Sequence, residues 1–378
     1  MTRKKIAFLI NSLDGGGAER VVSTLLNNLV DEYECHLILM EKKMSYTLDN
    51  RINIIHLNEN SNQNGILKLI RLPLMAYKLK KIIKNNNFTQ VVSFLHRANY
   101  VNSLSKYISS HQVVLSERIA SSSMYSDYSI TSKISKYLIK KLYKKADLII
   151  PVSNAIKNDL IENFNIQVEQ KVIYNPYDIE NINKLSQESI DINIDREKAI
   201  ITVGSLCERK NHKLIINAFK NIDDTFKLYI LGVGSEENNL KQLVKELDVE
   251  NRVIFLGFDN NPYKYLSKCD IFILGSNSEG FPNVLAEAMV CGCSVISTDC
   301  LSGPREILAP DSDSKLQIQD SIEDAEFGVL TPINNESKMT EAINLMIKNK
   351  KNKKVKQRAN DFKIEKIIEE YKEVICVE

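Results

Sequence analysis

The chain has no tryptophan, and aromatic residues make up only 7% of its 378 positions. Nowhere are lysine and arginine interleaved with stacking aromatics, so a nucleic-acid surface built on base stacking is not expected. No run approaches 18 uncharged apolar residues, which argues against a membrane-spanning helix. The basic start, Thr2-Arg3-Lys4-Lys5, leads into an apolar stretch that stops at Asn11. That is too short for a signal peptide and reads as a first buried strand. The seven cysteines are scattered, and Cys291-Gly-Cys293 lacks the spacing and the His/Cys partner pair of a zinc site. Their odd number and apolar settings point to reduced cytosolic thiols. Both the Gly-x-Gly-x-x-Gly dinucleotide fingerprint and the Gly-Lys-Ser/Thr ending of a P-loop are missing.

What remains is an ordinary globular composition, 43% hydrophobic and 26% charged, long enough for two domains. The net charge of +2 is unevenly spread. Residues 1–175 carry 24 Lys/Arg against 14 Asp/Glu, a net of +10, and residues 176–378 carry 26 against 34, a net of −8. The first half therefore favours an anionic partner. Apolar runs alternate with amphipathic stretches throughout, the pattern of parallel sheets covered on both faces. Strands are predicted at 5–10, 35–40, 90–94, 112–116, 147–151 and 172–176, with helices at 18–30, 66–85, 98–108 and 130–145. A polar linker is expected at 178–197. Strands follow at 199–204, 226–231, 252–256, 270–274 and 294–298. This gives two doubly wound α/β domains, 1–176 and 198–356, with a ligand cleft between them and a last helix, 357–376, packing back on the first. Residues 311–326 read as an acidic surface loop, and 348–356 as a solvated basic helix face.

The most informative stretch is Glu279-Gly-Phe-Pro-Asn-Val-Leu-Ala-Glu287, which follows an apolar strand. Gly280 permits close backbone approach, Pro282 suits a first helical position, and the N–H groups near Asn283 and Val284 would form an anion site at a helix start. Two acceptor carboxylates around an anion site suit a diphosphate flanked by hydroxyl-bearing groups. By spacing alone such a Glu pair occurs by chance. Arg209 and Lys210, in Gly204-Ser205-Leu206-Cys207-Glu208-Arg209-Lys210, are adjacent cations after a strand, where an open α/β sheet binds ligands. They could neutralise a diphosphate, or they could simply be exposed at an unfavourable helix start. Gly15-Gly16-Gly17 opens the first helix and allows close approach of a bound group, with a tight turn as the plain alternative. The Gly257-Phe258 loop could flank a nucleobase, though a turn serves equally well. A loop at Ser302-Gly303-Pro304-Arg305-Glu306 could shape a pocket floor. Residues 66–84 carry six cations and no acid, and 132–145 carry six more. Two such helices suit an anionic lipid surface or a polyphosphate, against core-packed helices with basic outer faces. Pro73 is expected to kink or split the first of them.

Taken together, Gly15-Gly16-Gly17-Ala18-Glu19-Arg20, Asn175-Pro176, the Gly204 to Lys210 loop, the Glu279/Glu287 stretch and Ser302-Gly303 resemble the family 4 glycosyltransferases of the GT-B fold. Leu256-Gly-Phe-Asp-Asn-Asn-Pro-Tyr-Lys-Tyr265 and the glycine-rich start look most like bacterial transferases that add N-acetylgalactosamine to undecaprenyl-diphosphate-linked glycans. The resemblance implies two Rossmann-like domains facing a cleft, and retaining transfer from a UDP-sugar without a divalent metal or other cofactor. Gly16 and Gly17 would approach the donor diphosphate, and Arg209 and Lys210 would stabilise it as it leaves. Glu279 would hold donor-sugar hydroxyls and Glu287 the ribose. Phe258, Gly280, Phe281, Asn283 and Val284 would line the donor site. Where many members carry Arg after the glycine of the diphosphate loop, this chain has Ser205. Where many carry a catalytic-side His, Leu115-Ser116-Glu117-Arg118 places Arg118, and His96 in Phe94-Leu95-His96-Arg97 is the nearby alternative on the acceptor side. The expected acceptor is a polyprenyl-diphosphate-linked saccharide in surface-glycan (O-antigen or capsule) synthesis, reached at the inner face of the cytoplasmic membrane through 66–84 and 132–145. A lipopolysaccharide or soluble acceptor, or a non-catalytic nucleotide-sugar-binding scaffold, are the alternatives.

Overall fold

The computed structural model describes residues 3–60, 64–349 and 354–375. Cys376, part of the Lys-rich stretch 348–356 and the end of the expected last helix lie outside them. The chain divides into two units, Met1–Pro176 with Glu365–Glu378, and Tyr177–Ile364.

Unit 1 holds a six-stranded parallel sheet, ordered β3-β2-β1-β4-β5-β6. Its strands are β1 (Lys5–Ile10), β2 (Glu34–Leu39), β3 (Asn53–His56), β4 (Gln90–Phe94), β5 (Gln112–Glu117) and β6 (Leu148–Pro151). Its helices are α1 (Gly17–Leu29), α2 (Gly65–Ile70), α3 (Leu72–Asn86), α4 (His96–Ser105), α5 (Ser121–Met124), α6 (Ile130–Leu142) and α7 (Asn154–Phe164). Central strands such as Gln90–Phe94 are buried along their whole length, because helices cover both faces. Crossover connections are right-handed, so α1, which leads one way along the sheet, lies on the opposite face from α3, α4 and α6, which lead the other way. Leu72, Met75, Leu79 and Ile83 of α3, Val101 of α4 and Ile139 of α6 share one core with Ala7, Val91 and Val113. The expected 66–85 helix does divide. Pro73 sits in the first turn of α3, where its missing N–H costs nothing.

Two expectations for unit 1 fail. The strand β3 was not expected; it is a short sheet edge, half exposed, without a continuous apolar run. Residues 172–176 form no strand. Lys171 and Ile173 donate to Ile149 O and Pro151 O along the β6 edge (3.0 and 3.1 Å), but Pro151 has no N–H to return and the ladder stops.

Unit 2 holds a seven-stranded sheet, ordered β12-β13-β11-β10-β7-β8-β9, parallel apart from the β12 edge. Its strands are β7 (Ala199–Val203), β8 (Lys227–Leu231), β9 (Val253–Gly257), β10 (Ile271–Leu274), β11 (Ser294–Thr298), β12 (Glu323–Asp324) and β13 (Val329–Thr331). The helices are α8 (Ile179–Leu185), α9 (His212–Phe219), α10 (Glu237–Glu246), α11 (Tyr263–Leu266), α12 (Asn283–Val290), α13 (Pro304–Leu308), α14 (Glu336–Asn349) and α15 (Val355–Ala359). The stretch 178–197 is no linker. Asp178 caps α8 by accepting from Asn181 N, and Asn261 and Ser267 donate to Leu185 O and Ser186 O. The last helix, α16 (Ile364–Ile375), belongs with unit 1 from Glu365 onward, where Gln90 donates to Val374 O at 3.1 Å. The α-helix Val355–Ala359 gives way to a single 3-10 turn at Asn360–Phe362 before α16 begins at Ile364, so 357–376 is not one helix. Within unit 2 the outgoing and returning chain pair side by side: Tyr177 N donates to Phe362 O (2.9 Å) and Ile364 N to Tyr177 O (3.0 Å).

Candidate functional site

In a doubly wound sheet the loops at the carboxyl ends of the two strands flanking the reversal of strand order diverge and leave a crevice. In unit 2 those strands are β7 and β10. The loop after β7 carries Arg209 and Lys210, and the loop after β10 carries Glu279. They meet. Lys210 Nζ lies 2.5 Å from Glu279 Oε1 and Arg209 Nη1 lies 3.2 Å from Oε2. Ser276 Oγ donates to Oε1 at 2.6 Å, and Arg209 Nη1 also donates to Ser278 O at 2.9 Å. Glu279 is 6% exposed. Burial pushes its carboxyl up, but the charges of Lys210 and Arg209, with the Lys210 and Ser276 hydrogen bonds, outweigh that and hold it below the usual carboxylate range. Two cations against one buried carboxylate leave an excess positive charge. Lys210 is largely covered, whereas the Arg209 side chain is 45% exposed, so its guanidinium is the group that can reach an incoming anion. Ser205 stands exposed on the same loop.

The floor of this site is backbone held tightly. Glu279 N donates to Leu301 O (3.0 Å), Ser302 N donates to Glu279 O (2.9 Å), and Ser302 Oγ to Gly280 O (2.8 Å). Gly303 has φ +91, and a Cβ there would lie 2.7 Å from Gly280 O and 2.9 Å from Phe281 Cα. Arg305 anchors the same loop from below through Asp299 (2.5 Å) and Glu323 (3.0 Å). Gly232 serves the other wall: a Cβ there would meet Gly204 O at 2.0 Å, so the loops after β7 and β8 touch backbone to backbone. Gly234 does the same, since a Cβ there would meet Leu206 O at 2.3 Å.

Pro282 is the N-cap of α12 rather than its first residue, a shift of one position. Across 280–293 only Asn283 and Val284 keep partial exposure, so the helix start is open at these residues. The Asn283 side chain accepts from Tyr177 OH at 2.8 Å, and Phe281 turns its ring into the core against Phe362, centroids 5.2 Å apart. At Phe281 only backbone remains to serve a ligand. Glu287 is buried one turn in and accepts from Tyr263 OH at 3.3 Å. Tyr263 and Ser276 went unrecognised as site residues. Tyr263 lies in the stretch 256–265 quoted for its resemblance, and Ser276 carries no signal before the loop is folded. Phe258, after β9, is 68% exposed, an aromatic face free to stack. Asp311-Ser312-Asp313, a spacing two carboxylates could use to share a cation, lies on an exposed loop, and Asp313 accepts from Lys315 N.

In unit 1 the strands at the reversal are β1 and β4. The loop after β1 ends in Gly16, the N-cap of α1, with Gly17 its first residue. A Cβ on Gly16 would fall 2.2 Å from Glu19 Oε2, so Glu19 folds back over that glycine. The loop after β4 puts Leu95 at φ +73, a strained setting for a branched side chain, directly before His96. His96 Nε2 lies 2.9 Å from Ser121 Oγ and 3.1 Å from Glu117 Oε1, and Tyr143 OH donates to Glu117 Oε2 at 2.5 Å. Glu117 and Tyr143 escaped notice in the sequence because each reads as part of another element. Arg118 is tied down elsewhere: its guanidinium donates to Asn175 Oδ1 and to Tyr371 OH, linking the end of β5 to the end of the first half and to α16. Of the two acceptor-side candidates, His96 sits at the sheet reversal and Arg118 acts as a buried tie.

A family model for glycosyl transferases group 1 matches residues 186–362, and one for glycosyltransferase family 4 matches residues 15–181. The chain is 39% identical, over 95% of its length and 96% of the relative's, to the N-acetylgalactosamine-N,N'-diacetylbacillosaminyl-diphospho-undecaprenol 4-alpha-N-acetylgalactosaminyltransferase of Campylobacter jejuni. It is 26% identical, over 98% of both chains, to a second α-1,4-N-acetyl-D-galactosaminyltransferase of that organism, whose name specifies a diNAcBac-PP-undecaprenol-linked glycan. Among solved structures it shares its fold with Anabaena HepE in complex with UDP, at TM-score 0.74 and 21% identity over 98% of this chain and 99% of that one.

Proposed function

The chain belongs to the group 1, family 4 glycosyltransferases and has their GT-B fold, and on that premise we propose that it is a retaining transferase carrying a hexosamine, N-acetylgalactosamine first among the candidates, from a UDP-sugar to a polyprenyl-diphosphate-linked saccharide. The observation that carries this reading is the Lys210–Glu279–Arg209 cluster at the sheet reversal of unit 2. Arg209 turns to the donor diphosphate while Lys210 stays on Glu279 and supplies the second positive charge nearby. Glu279, kept ionised, accepts hydroxyls of the donor sugar. The α12 start at Asn283 and Val284 caps phosphate, Glu287 takes the ribose and Phe258 stacks on the base. The bond from the sugar's anomeric carbon to phosphate oxygen breaks as the acceptor hydroxyl attacks from the same face. The acceptor proton passes to the departing phosphate oxygen. Charge stabilisation at that leaving group is the main demand, and fixed cations meet it without a divalent metal.

His96 is the acceptor-side group, and Glu117 with Tyr143 sets its imidazole. The lipid-linked acceptor places the enzyme at the inner face of the cytoplasmic membrane as a peripheral protein, with 66–84 and 132–145 towards the lipid. Support comes from the 39% identity to a transferase whose name specifies such an acceptor. The test is a panel of UDP-sugars with purified polyprenyl-diphosphate glycans, scored by UDP release and by product stereochemistry in the presence of EDTA. Release equal with and without acceptor lipid, an inverted product, or loss of activity in EDTA would each remove the corresponding part of the reading. UDP binding without turnover on any donor would favour a scaffold.

A further inference from the structure

Arg209 is gripped by three consecutive residues of the loop after β10. Asn277 N donates to Arg209 O at 2.8 Å, Ser278 O accepts from Arg209 Nη1 at 2.9 Å, and Glu279 Oε2 lies 3.2 Å from the same Nη1. The residue is therefore fixed at both ends, by its own carbonyl and by one nitrogen of its guanidinium. Nε and Nη2 take no hydrogen bond or ion pair among the described residues, and the side chain is 45% exposed. Those two nitrogens carry the parallel N–H pair with which a guanidinium takes two oxygens of one phosphate. The held end and the open edge belong to one planar group, so fixing the first aims the second.

The anchor itself is rigid. Glu279 is buried, and its backbone bonds to Leu301 O and from Ser302 N pin the loop on both sides of the peptide. Its Oε1 accepts from Lys210 Nζ at 2.5 Å and from Ser276 Oγ at 2.6 Å. Lys210 does not compete for the outer position. Its stem passes Gly204, where a Cβ would lie 3.6 Å from Lys210 Cε, and its side chain is largely covered. A carboxylate offers about four acceptor positions, so with Lys210, Ser276 and Arg209 in place one is left for a sugar hydroxyl. Most of what this carboxylate holds is therefore protein.

An arginine that must be ordered as it grips an anion charges that cost to binding, unless something has already ordered it. We propose that Glu279 is a positioning residue for the donor diphosphate, holding Arg209 by Nη1 so that the Nε–Nη2 edge meets the phosphate oxygens already aligned. Arg209 then engages the diphosphate without leaving Glu279. A carboxylate facing a diphosphate directly would repel it; here the guanidinium lies between them. The proposal deepens the donor reading and rests on it for the identity of the anion. It gives Glu279 a role that needs no sugar, so this side chain governs affinity for UDP alone as well as for the intact UDP-sugar.

The test is calorimetric titration of UDP, with no sugar attached, into the full chain and into Glu279→Asp, Arg209→Ala and the double variant. Aspartate keeps the charge and withdraws it from Nη1 by one methylene. Glu279→Asp should weaken UDP about five- to tenfold, the usual cost of ordering one long side chain on binding. In the Arg209→Ala background the same change should alter UDP affinity by less than about twofold. Lys210 and the open start of α12 remain in that background and keep UDP binding measurable. Should circular dichroism show the aspartate variant unfolded, Glu279→Gln closes the same cycle, because a charge effect common to both backgrounds cancels. The proposal falls if Glu279→Asp leaves UDP affinity unchanged, which is what a carboxylate that only holds sugar would do. An equal loss with and without Arg209 also sinks it, since the change then acts on the loop and not through the guanidinium. So does a tighter hold on UDP in Glu279→Gln that requires Arg209, because Glu279 would then be keeping Arg209 from the ligand. A parent chain that binds no UDP removes the donor reading and this proposal together. Coupling between the two positions without turnover on any acceptor upholds the proposal and removes the transferase reading.

Discussion

Replacing Lys210 by Met should reverse the way stability responds to pH. In the parent chain burial pushes the Glu279 carboxyl up, while Lys210, then Arg209, overcome it and leave the group below its usual range. A carboxyl lowered by folding adds stability that is complete above the unfolded value near 4 and is lost as pH falls through the lowered folded value. Methionine keeps the lysine stem but removes the charge 2.5 Å from Oε1. Burial then prevails and the carboxyl moves up. A carboxyl raised by folding costs stability at neutral pH, and the cost disappears as pH falls and the group is protonated. Breaking a buried pair by removing one partner costs roughly 3–5 kcal/mol. Arg209 at 3.2 Å and Ser276 at 2.6 Å remain, but Arg209 is nearly half exposed and screened, so about 2–3 kcal/mol is expected. At about 2–4 °C per kcal/mol for a unit of this size, the melting temperature at about pH 8 should fall by roughly 5–10 °C. Near pH 5 the deficit should shrink to about half or less, its slope with pH set by the fraction of the carboxyl protonated. Differential scanning calorimetry of the two proteins at both pH values checks this. An equal deficit at the two pH values, or none at either, would refute the account of Glu279 as a buried carboxylate held ionised by Lys210.

Arg209→Ala should leave the melting temperature within about 1 °C, because the side chain is half exposed, and lower kcat about 10²–10³-fold in a UDP-release assay. Phe258→Ala should raise the donor KM about tenfold with little change in kcat or stability, as expected for loss of one exposed stacking ring. Gly303→Ala should destabilise unit 2 by about 2–3 kcal/mol in urea unfolding, since φ +91 and a Cβ 2.7 Å from Gly280 O must both be accommodated. His96→Asn should raise the acceptor KM several-fold at unchanged donor KM, and steady-state kinetics with each substrate varied in turn would expose an equal effect on both.

The parts of the molecule legible in the sequence are those where one local rule decides. Strands such as Lys5–Ile10 and Ile271–Leu274 are buried from Ile6 and from Ile271 onward, so burial writes itself as a continuous apolar run. The edge strand Asn53–His56 has no such run, and 172–176 has one but borders a proline that cannot return a hydrogen bond. The cluster of Arg209, Lys210 and Glu279 was legible because all three follow strands, and strand order then brings their loops together. Ser276, Glu117 and Tyr143 were not. Ser276 precedes its carboxylate by three residues and means nothing until that loop curls. Tyr143 ends a helix whose lysines dominate its reading, although its ring is buried and its hydroxyl reaches Glu117. At Phe281 the expected donor contact is through the backbone, and the ring, large and apolar, packs against Phe362.

Unit 1 takes up a helix made after the whole of unit 2, and this imposes an order on synthesis. The helix Ile364–Ile375 supplies Tyr371 to Arg118 and Val374 O to Gln90, yet both recipients lie within the first 118 residues. As the chain leaves the ribosome, the six strands of unit 1 emerge first but wait for that helix while the whole of Tyr177–Ile364 is made, a delay of about 10–40 s at usual elongation rates. Unit 2 is contiguous and can fold during that interval. Unit 1 is therefore completed after unit 2, and Gln90 and Arg118 wait for Val374 and Tyr371 until the helix Ile364–Ile375 is made.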